Sequence, residues 1–239
     1  MSALLRVKVW RGGAEGGAFR EYQVPRRESQ TVLDVVTHIQ RALDPTLAYR
    51  YACRVGMCGS CAMMVNGAPR WTCRTHVDKV ARDGRLSVAP LRNLPVIRDL
   101  VADMSVFFDK WARAQGQFKG GRTRADDVER VSPQSQARRR ADAAIECIGC
   151  GVCYAACDVV AANPDYLGPA ALNRVWTLVN DARDTSNPER LRAVAGDDAS
   201  LACHTHMSCT ERCPKALSPT AGIAGLKRAV ARAALKGEL

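Results

Sequence analysis

The chain has 239 residues, enough for one large or two small domains, and 47% of them are hydrophobic, so each half has material for a core. Its formal charge of +11 suits a solvated basic surface, an anionic membrane face or an acidic protein partner. Nucleic acid is set aside, because no nucleic-acid module and no interleaving of aromatic with basic residues is found. No stretch approaches the roughly 18 apolar residues of a spanning helix. The segment Met1–Trp10 runs straight into strand alternation, which reads as neither signal nor transit peptide. The expectation is a chain kept in a reducing cytosol, reaching a membrane only through partners.

Leu5, Val7 and Val9 alternate with Arg6, Lys8 and Trp10, the pattern of a half-buried strand. Gly12, Gly13, Gly16 and Gly17 mark a flexible turn, and Phe19 to Val24 reads as the returning strand. Thr31-x-x-Asp34 is a capping-box pattern, with Val32, Val36, Ile39 and Leu43 on one helical face and Asp44-Pro45 as a stop. Arg50 to Cys61 is a loop. Ala62 to Val65 and Pro69 to Cys73 flank Asn66-Gly67, a strong hairpin signal that returns Cys73 towards Cys61. Leu86 to Leu91 reads as a further strand. A helix is expected from Pro95, with Ile97, Leu100, Val101, Met104, Phe108 and Trp111 on one face packed against the N-terminal body. Residues 112–140 read as a charged linker in which Arg138, Arg139 and Arg140 belong to a solvated helix face or meet an acidic partner or headgroups. Asp142 to Ile145 leads a helix, Pro169 opens another with Leu172, Val175, Trp176 and Val179 as its stripe, and 183–200 is polar and loop-rich. Pro219 opens the last helix, with Ile223, Leu226 and Val230 on one side and Arg228, Arg232 and Lys236 on another, a face for solvent or a membrane surface.

The eleven cysteines carry the chemistry. One spacing occurs twice: Cys147-x2-Cys150-x2-Cys153-x3-Cys157, and Cys203-x2-His206-x2-Cys209-x3-Cys213-Pro214. Both fit the bacterial ferredoxin run, in which three thiolates hold one iron–sulfur cluster and the fourth holds the other. That exchange pairs Cys147, Cys150 and Cys153 with Cys213 as a [4Fe–4S] set. Cys157, Cys203 and Cys209 become a three-thiolate set suited to [3Fe–4S], because His206 stands where a fourth Cys would be. Upstream, Cys53-x4-Cys58-x2-Cys61-x11-Cys73 has the plant-type [2Fe–2S] spacing. The three sets use every cysteine. Disulfides would leave an odd thiol over and require an oxidising compartment, and structural zinc uses paired cysteines rather than these triplets. Imidazole also ligates iron, so a second cube completed by His206 stays open beside a non-ligating His206.

These residues resemble a known family over nearly the whole chain: the iron–sulfur subunit of succinate dehydrogenase and fumarate reductase. The resemblance rests on Tyr49-Arg-Tyr-Ala-Cys-Arg-Val-Gly-Met-Cys-Gly-Ser-Cys61, Met63-Met-Val-Asn-Gly67, Cys147-Ile-Gly-Cys-Gly-Val-Cys-Tyr-Ala-Ala-Cys157 and Cys209-Thr-Glu-Arg-Cys-Pro-Lys215. Asn163-Pro-Asp-Tyr-Leu-Gly-Pro-Ala-Ala171 and Asp181-Ala-Arg-Asp184 look closer to the fumarate reductase branch. It implies an α+β chain: an N-terminal plant-type ferredoxin (β-grasp) domain over 1–105, a helix and charged linker over 106–140, and an all-α bacterial-ferredoxin-like domain over 141–239. It also implies an electron wire from an FAD-containing partner subunit, which interconverts succinate and fumarate, to a quinone at membrane anchor subunits, with no substrate site in this chain. The location implied is the cytoplasmic side of a bacterial cytoplasmic membrane, as a peripheral subunit. By position, His204, Thr205 and Lys227 would face the quinone.

Two departures stand out. Asp158 replaces the usual Pro after Cys157, and its charge is expected to lower the potential of the nearby cluster and so favour a low-potential quinone. His206 occupies a corner that is usually apolar in the family. The competing function is an electron-transfer module for a soluble flavoprotein that reduces another unsaturated acid without quinone. A free ferredoxin carrier is disfavoured by the size, the three dissimilar sets and the basic charge.

Overall fold

In a computed structural model, residues 4–239 are described. The chain folds into two compact units. One comprises residues up to Met104 together with Ile148–Ala156; the other comprises Ser105–Cys147 together with Cys157–Leu239.

The first unit is built on a sheet. Strand β1 (Leu4–Gly13) buries Leu5, Val7 and Val9 and exposes the residues between them, as strict alternation demands. It pairs antiparallel with β2 (Gly16–Pro25), in a register that sets Gly12 opposite Gly17. These glycines lie inside the ladder: a Cβ on Gly17 would sit 2.3 Å from the Arg11 carbonyl, so close backbone approach rather than flexibility requires them. Helix α1 (Val32–His38) starts at the expected capping box, with Thr31 Oγ1 accepting from Asp34 N at 3.2 Å and Asp34 Oδ2 accepting from Thr31 N at 2.9 Å. It widens into a π turn over Ile39–Leu43 and stops before Pro45. Strands β3 (Ala62–Val65) and β4 (Ala68–Trp71) form the Asn66-Gly67 hairpin, both turn residues having the positive φ that such a turn needs. A 3-10 turn (Thr72–Arg74) and the short helix α2 (Val77–Val80) lead to β5 (Arg85–Ala89), which runs parallel to β1. With β6 (Val96–Arg98) and β7 (Val101–Ala102), the sheet order is β4-β3-β5-β1-β6-β7, with β2 on β1. The core lies between the β1 face and α1, where Val32, Val35, Val36 and Ile39 meet Leu5, Val7, Leu86 and Val88.

The helix expected from Pro95 is replaced by β6 (Val96–Arg98) and β7 (Val101–Ala102). The reason is Asp99, whose φ of +51° ends any helix. Its buried carboxylate accepts from Arg11 Nε at 3.0 Å, Gly12 N at 3.1 Å and Ala48 N at 2.9 Å, fixing a tight bend. Ile97 is exposed as a result.

The second unit is helical. Helix α3 (Ser105–Arg113) begins after that bend, buries Phe107 and Lys110 while exposing Phe108, and packs on the helix Pro169–Val179 of its own unit. Helix α4 (Gln136–Ile145) starts six residues earlier than Asp142, capped by Ser135, whose hydroxyl accepts from Arg138 N at 3.1 Å. Helix α5 (Val152–Ala155) belongs to the first unit. Helix α6 (Asp158–Ala162) precedes α7 (Pro169–Val179), which has Pro at its start as expected. The polar stretch 183–200 contains α8 (Asn187–Ala193), a helix the loop reading missed; Pro188 sits in its first turn. Helix α9 (Ser208–Arg212) and α10 (Pro219–Leu235) complete the unit. Ile223, Leu226 and Val230 pack with Leu172, Val175 and Leu178 as its core.

One buried ion pair organises the second unit. Arg190 and Asp184 have fully buried side chains in contact with each other. Arg190 also donates to the carbonyls of Gln115 (Nε, 2.8 Å) and Gln117, while Asp184 accepts from Lys119 N at 3.0 Å and Ser186 N at 2.9 Å. Each charge is thus fully hydrogen-bonded, the condition for burial. Burial pushes the Asp184 pKa up, but the Arg190 and amide hydrogen bonds outweigh it and leave it lowered.

Candidate metal centres

The four cysteines of the first set come together in the sheet unit. The loop from Cys53 to Cys61 takes left-handed conformations at Arg54, Gly56 and Gly59, which fold it inwards. Its amides then converge on sulfur: Met57 N donates to Cys53 Sγ at 3.2 Å, Cys58 N to Cys53 Sγ at 3.3 Å, and Cys53 N to Cys58 Sγ at 3.5 Å. The hairpin register sets Ala62 opposite Trp71 and so Cys61 against Thr72, which brings the Cys73 thiol next to that of Cys61. Buried Thr72 locks them, its N and Oγ1 both donating to the Cys61 carbonyl at 3.2 and 2.8 Å. The electrostatics differ across the set. Hydrogen bonds from the Cys53 amide and Ser60 bring the Cys58 thiol down to about 6. Burial and neighbouring Cys61 push Cys73 up to about 12. Two part-exposed sulfurs on an amide-rich loop and two buried ones on a hairpin give a four-thiolate donor set with hydrogen bonds for bound sulfur.

Gly59 does more than turn. A Cβ there would lie 2.5 Å from Cys150 Cβ, so the loop carrying the first set touches Cys150 directly. Cys153 lies in α5, whose C-terminal carbonyls are bound by Arg92 (to Ala155 O, and to Ala156 O at 3.1 Å) and by Asn93 (to Tyr154 O at 3.1 Å). The structure places Cys147 and Cys213 in the helical unit, where Lys215 and Glu146, neighbours of these two cysteines in sequence, form a 2.9 Å ion pair.

Cys157, Cys203 and Cys209 come together inside the helical unit, close enough that Cys203 raises the pKa of both Cys157 and Cys209, and Cys209 that of Cys157. Burial is the larger cause at both Cys157 and Cys209. Cys157 stands at the N-cap of α6, where the Val160 and Val159 amides partly offset the effect of burial on its thiol. Cys209 Sγ is 3.3 Å from the Thr220 hydroxyl, which also accepts from Thr210 Oγ1 at 2.9 Å. Three thiols with directed donors fit a cluster with three cysteine ligands. Tyr166, 1% exposed, stands against all three and hydrogen-bonds Cys203; burial first, then the three sulfurs, raise its pKa.

Of the other predicted residues, Lys227 donates to the Cys203 carbonyl at 2.7 Å, tying α10 to the ligand loop. His204, Thr205 and His206 are exposed on that loop, with the two imidazole centroids 6.2 Å apart. Asp158 occupies the first turn of α6, where a negative charge suits the helix dipole.

Sequence reasoning missed Lys110. It is 3% exposed and donates to the carbonyls of Pro164 and Tyr166 (2.7 Å), holding the segment that carries Tyr166; burial lowers its pKa. Its position three residues after buried Phe107, on the inward face of α3, was the available signal.

Fold and site together define an electron-transfer protein that carries iron–sulfur clusters on cysteine thiolates. Residues 5–109 match the model of a 2Fe-2S iron-sulfur cluster binding domain, and residues 143–217 that of a 4Fe-4S dicluster domain. The fumarate reductase iron-sulfur subunit of Mycobacterium tuberculosis is 37% identical over 231 residues, covering 91% of this chain and 88% of the relative. The corresponding subunit of Haemophilus influenzae is 35% identical (84% and 82% covered), and the succinate dehydrogenase iron-sulfur subunit of Paracoccus denitrificans 37% (82% and 74%). Among solved structures, a chain of the Mycobacterium smegmatis Sdh1 complex in the apo form superposes with a TM-score of 0.86 at 30% identity, covering 97% of each chain. The chain belongs to the family of iron–sulfur subunits of succinate dehydrogenase and fumarate reductase.

Proposed function

We propose that the chain conducts electrons between an FAD-containing succinate/fumarate subunit and a membrane quinone. Cys53, Cys58, Cys61 and Cys73 would hold [2Fe–2S], Cys147, Cys150, Cys153 and Cys213 [4Fe–4S], and Cys157, Cys203 and Cys209 [3Fe–4S]. Bound clusters supply one-electron steps whose potentials depend on cluster type, charge and hydrogen bonds to sulfur. The observation that carries the reading is the contact of Gly59 with Cys150, which joins the ligand loop of the first set to a ligand of the second. We read the sheet unit as a plant-type ferredoxin (β-grasp) fold and the helical unit as bacterial-ferredoxin-like. The functional division is 1–105, 106–140 and 141–239.

At the far end, Lys227 and His204 supply donors for a reduced quinone oxygen, with Thr205 beside them. The Lys227 bond to the Cys203 carbonyl would hold its ammonium at the loop. The place of work is the cytoplasmic face of a bacterial cytoplasmic membrane, reached through anchor subunits. Among the described residues no helix is long and apolar enough to cross a membrane. A soluble, quinone-independent module is not favoured, since the relatives over most of the chain are fumarate reductase and succinate dehydrogenase subunits.

The test is electron paramagnetic resonance of the complex, air-oxidised and dithionite-reduced, with iron quantified. An oxidised signal near one spin and about nine irons per chain support the three sets. No oxidised signal and about ten irons would mean that His206 completes a second cube.

A further inference from the structure

We propose that helices α4, α7 and α10 form a binding site for the phosphodiester headgroup of an acidic phospholipid. In sequence, the arginines of 138–140 and those of the last helix are two unrelated stripes. The fold brings them into one groove of about 530 Å³, with Arg139 and Arg140 from α4 facing Arg228 and Arg232 from α10. Trp176 of α7 and Ser218 at the start of α10 complete the lining that matters.

The floor of the groove is built. A Cβ at Gly225 would lie 2.4 Å from the Trp176 ring and one at Gly222 3.3 Å from it, so the two glycines let the indole lie against the α10 backbone. All of these residues belong to the helical unit.

The charges distinguish this groove from ordinary basic surface. Neighbouring cations outside it are paired: Arg138 with Asp142 at 2.8 Å, Lys215 with Glu146 at 2.9 Å, Lys236 with Glu238 at 4.0 Å. No carboxylate or side-chain hydrogen-bond partner is found for Arg139, Arg140, Arg228 or Arg232 among the described residues. Four converging guanidinium groups without counter-charge select a multivalent anion, and their forked donors match phosphate oxygens. Lipid rather than free phosphate follows from the surroundings. Leu235, one turn beyond Arg232, is 89% exposed and Leu239 is 40% exposed, so exposed apolar side chains follow the basic stripe along α10 and the residues after it. A Trp, an arginine cluster and exposed leucines form the composition of a membrane-interface anchor. The inference rests on the reading that the chain works beside a membrane anchor.

The test is flotation of the full, cluster-loaded chain with vesicles of phosphatidylcholine alone or mixed with phosphatidylglycerol. The chain should partition onto the mixed vesicles and not onto the neutral ones. R139Q/R140Q and R228Q/R232Q should each weaken this about tenfold. The control is R6Q/R85Q, which removes the same charge from arginines facing each other across β1 and β5, and should change binding little. Equal loss in the control, or undiminished binding by the groove variants, overturns the site. So does binding of inorganic pyrophosphate without binding of vesicles, which would make the ligand a soluble phosphate. If instead neither probe binds and the groove variants fail to assemble with partner subunits, the groove is a protein contact and the proposal falls. Cluster signals recorded on the same samples keep the two readings apart: failure of the unsubstituted chain to bind the mixed vesicles, with intact signals, overturns the headgroup site alone.

Discussion

The four-cysteine loop and the three-cysteine site solve one problem in opposite ways. In the sheet unit, two sulfurs sit on one short loop whose own amides bond them, and the hairpin supplies the other two. In the helical unit, the sulfurs arrive from Cys157, Cys203 and Cys209, and burial, Tyr166 and the Thr220 hydroxyl define the site. The first is a property of local backbone; the second depends on the packing of a whole domain. A local site tolerates damage elsewhere in its unit, whereas a packed site shares the fate of its core.

The largest predicted effect tests this directly. Cys209→Ser should abolish the oxidised three-iron signal, remove about three irons per chain and lower the melting temperature of the helical unit, because ligand and core are lost together. Cys58→Ser, on the part-exposed loop, should alter the [2Fe–2S] spectrum with a smaller fall in melting temperature. Equal destabilisation would erase the contrast.

Asp184→Asn should cost the helical unit about 3–5 kcal/mol in denaturant titration, since it leaves Arg190 charged and buried without its partner. The spectrum of the sheet-unit cluster should not change. Gly59→Ala combines a φ of +73° with a clash at Cys150, a strain of about 1–3 kcal/mol. It should broaden the [2Fe–2S] signal and slow electron passage to the next cluster, measured by rapid reduction.

Acid should also separate the units' networks. In the sheet unit, hydrogen bonds from Thr46, Tyr22 and Arg11 hold the Asp44 carboxyl well below the usual carboxylate range. Asp99 is lowered too, despite burial, by Ala48 N, Arg11 and Gly12 N. A carboxylate with a depressed folded pKa contributes stability that is present above about pH 4 and is lost as pH falls through its folded value. Asp44→Asn should flatten the acid limb of sheet-unit stability below about pH 4 and leave neutral behaviour less changed. The smallest effect is expected at Asp158. Asp158→Asn should raise the three-iron midpoint potential by about a few tens of millivolts, because an exposed charge near the site is screened. An unchanged potential would discard the idea that this acid tunes the terminal acceptor.

Much of this was readable in the chain because it rests on local rules. The Asn66-Gly67 hairpin, the Thr31 capping box, Pro169 and the alternation of β1 each follow from a few adjacent residues. The cysteine spacings point to both kinds of site for the same reason. What escaped depended on distant partners. The apolar pattern after Pro95 suits a helix until Asp99 is seen to be held by Arg11 and Ala48, residues far back in the chain. Helix α8 hid in a polar stretch because the residue it buries is Arg190, whose partners include carbonyls from residues 115 and 117. The role of Lys110 was hidden because its two acceptors lie in a segment more than fifty residues away. The parallel pairing of β5 with β1 carries no local signature at all.

The Arg190 staple divides the connecting segment by how much it tolerates. Residues 115–120 are bound by Arg190, Asp184 and Thr185, the last donating its amide to the Lys119 carbonyl at 3.0 Å. From 121 to 128 every residue is exposed. A peptide tag or small reporter domain inserted around 124–127 would be absorbed as extra loop, whereas the same insertion at 116–119 would pull the guanidinium's acceptors away. The segment after residue 120 is thus a place where the chain's length is free to change, bounded by the acceptors of a buried arginine.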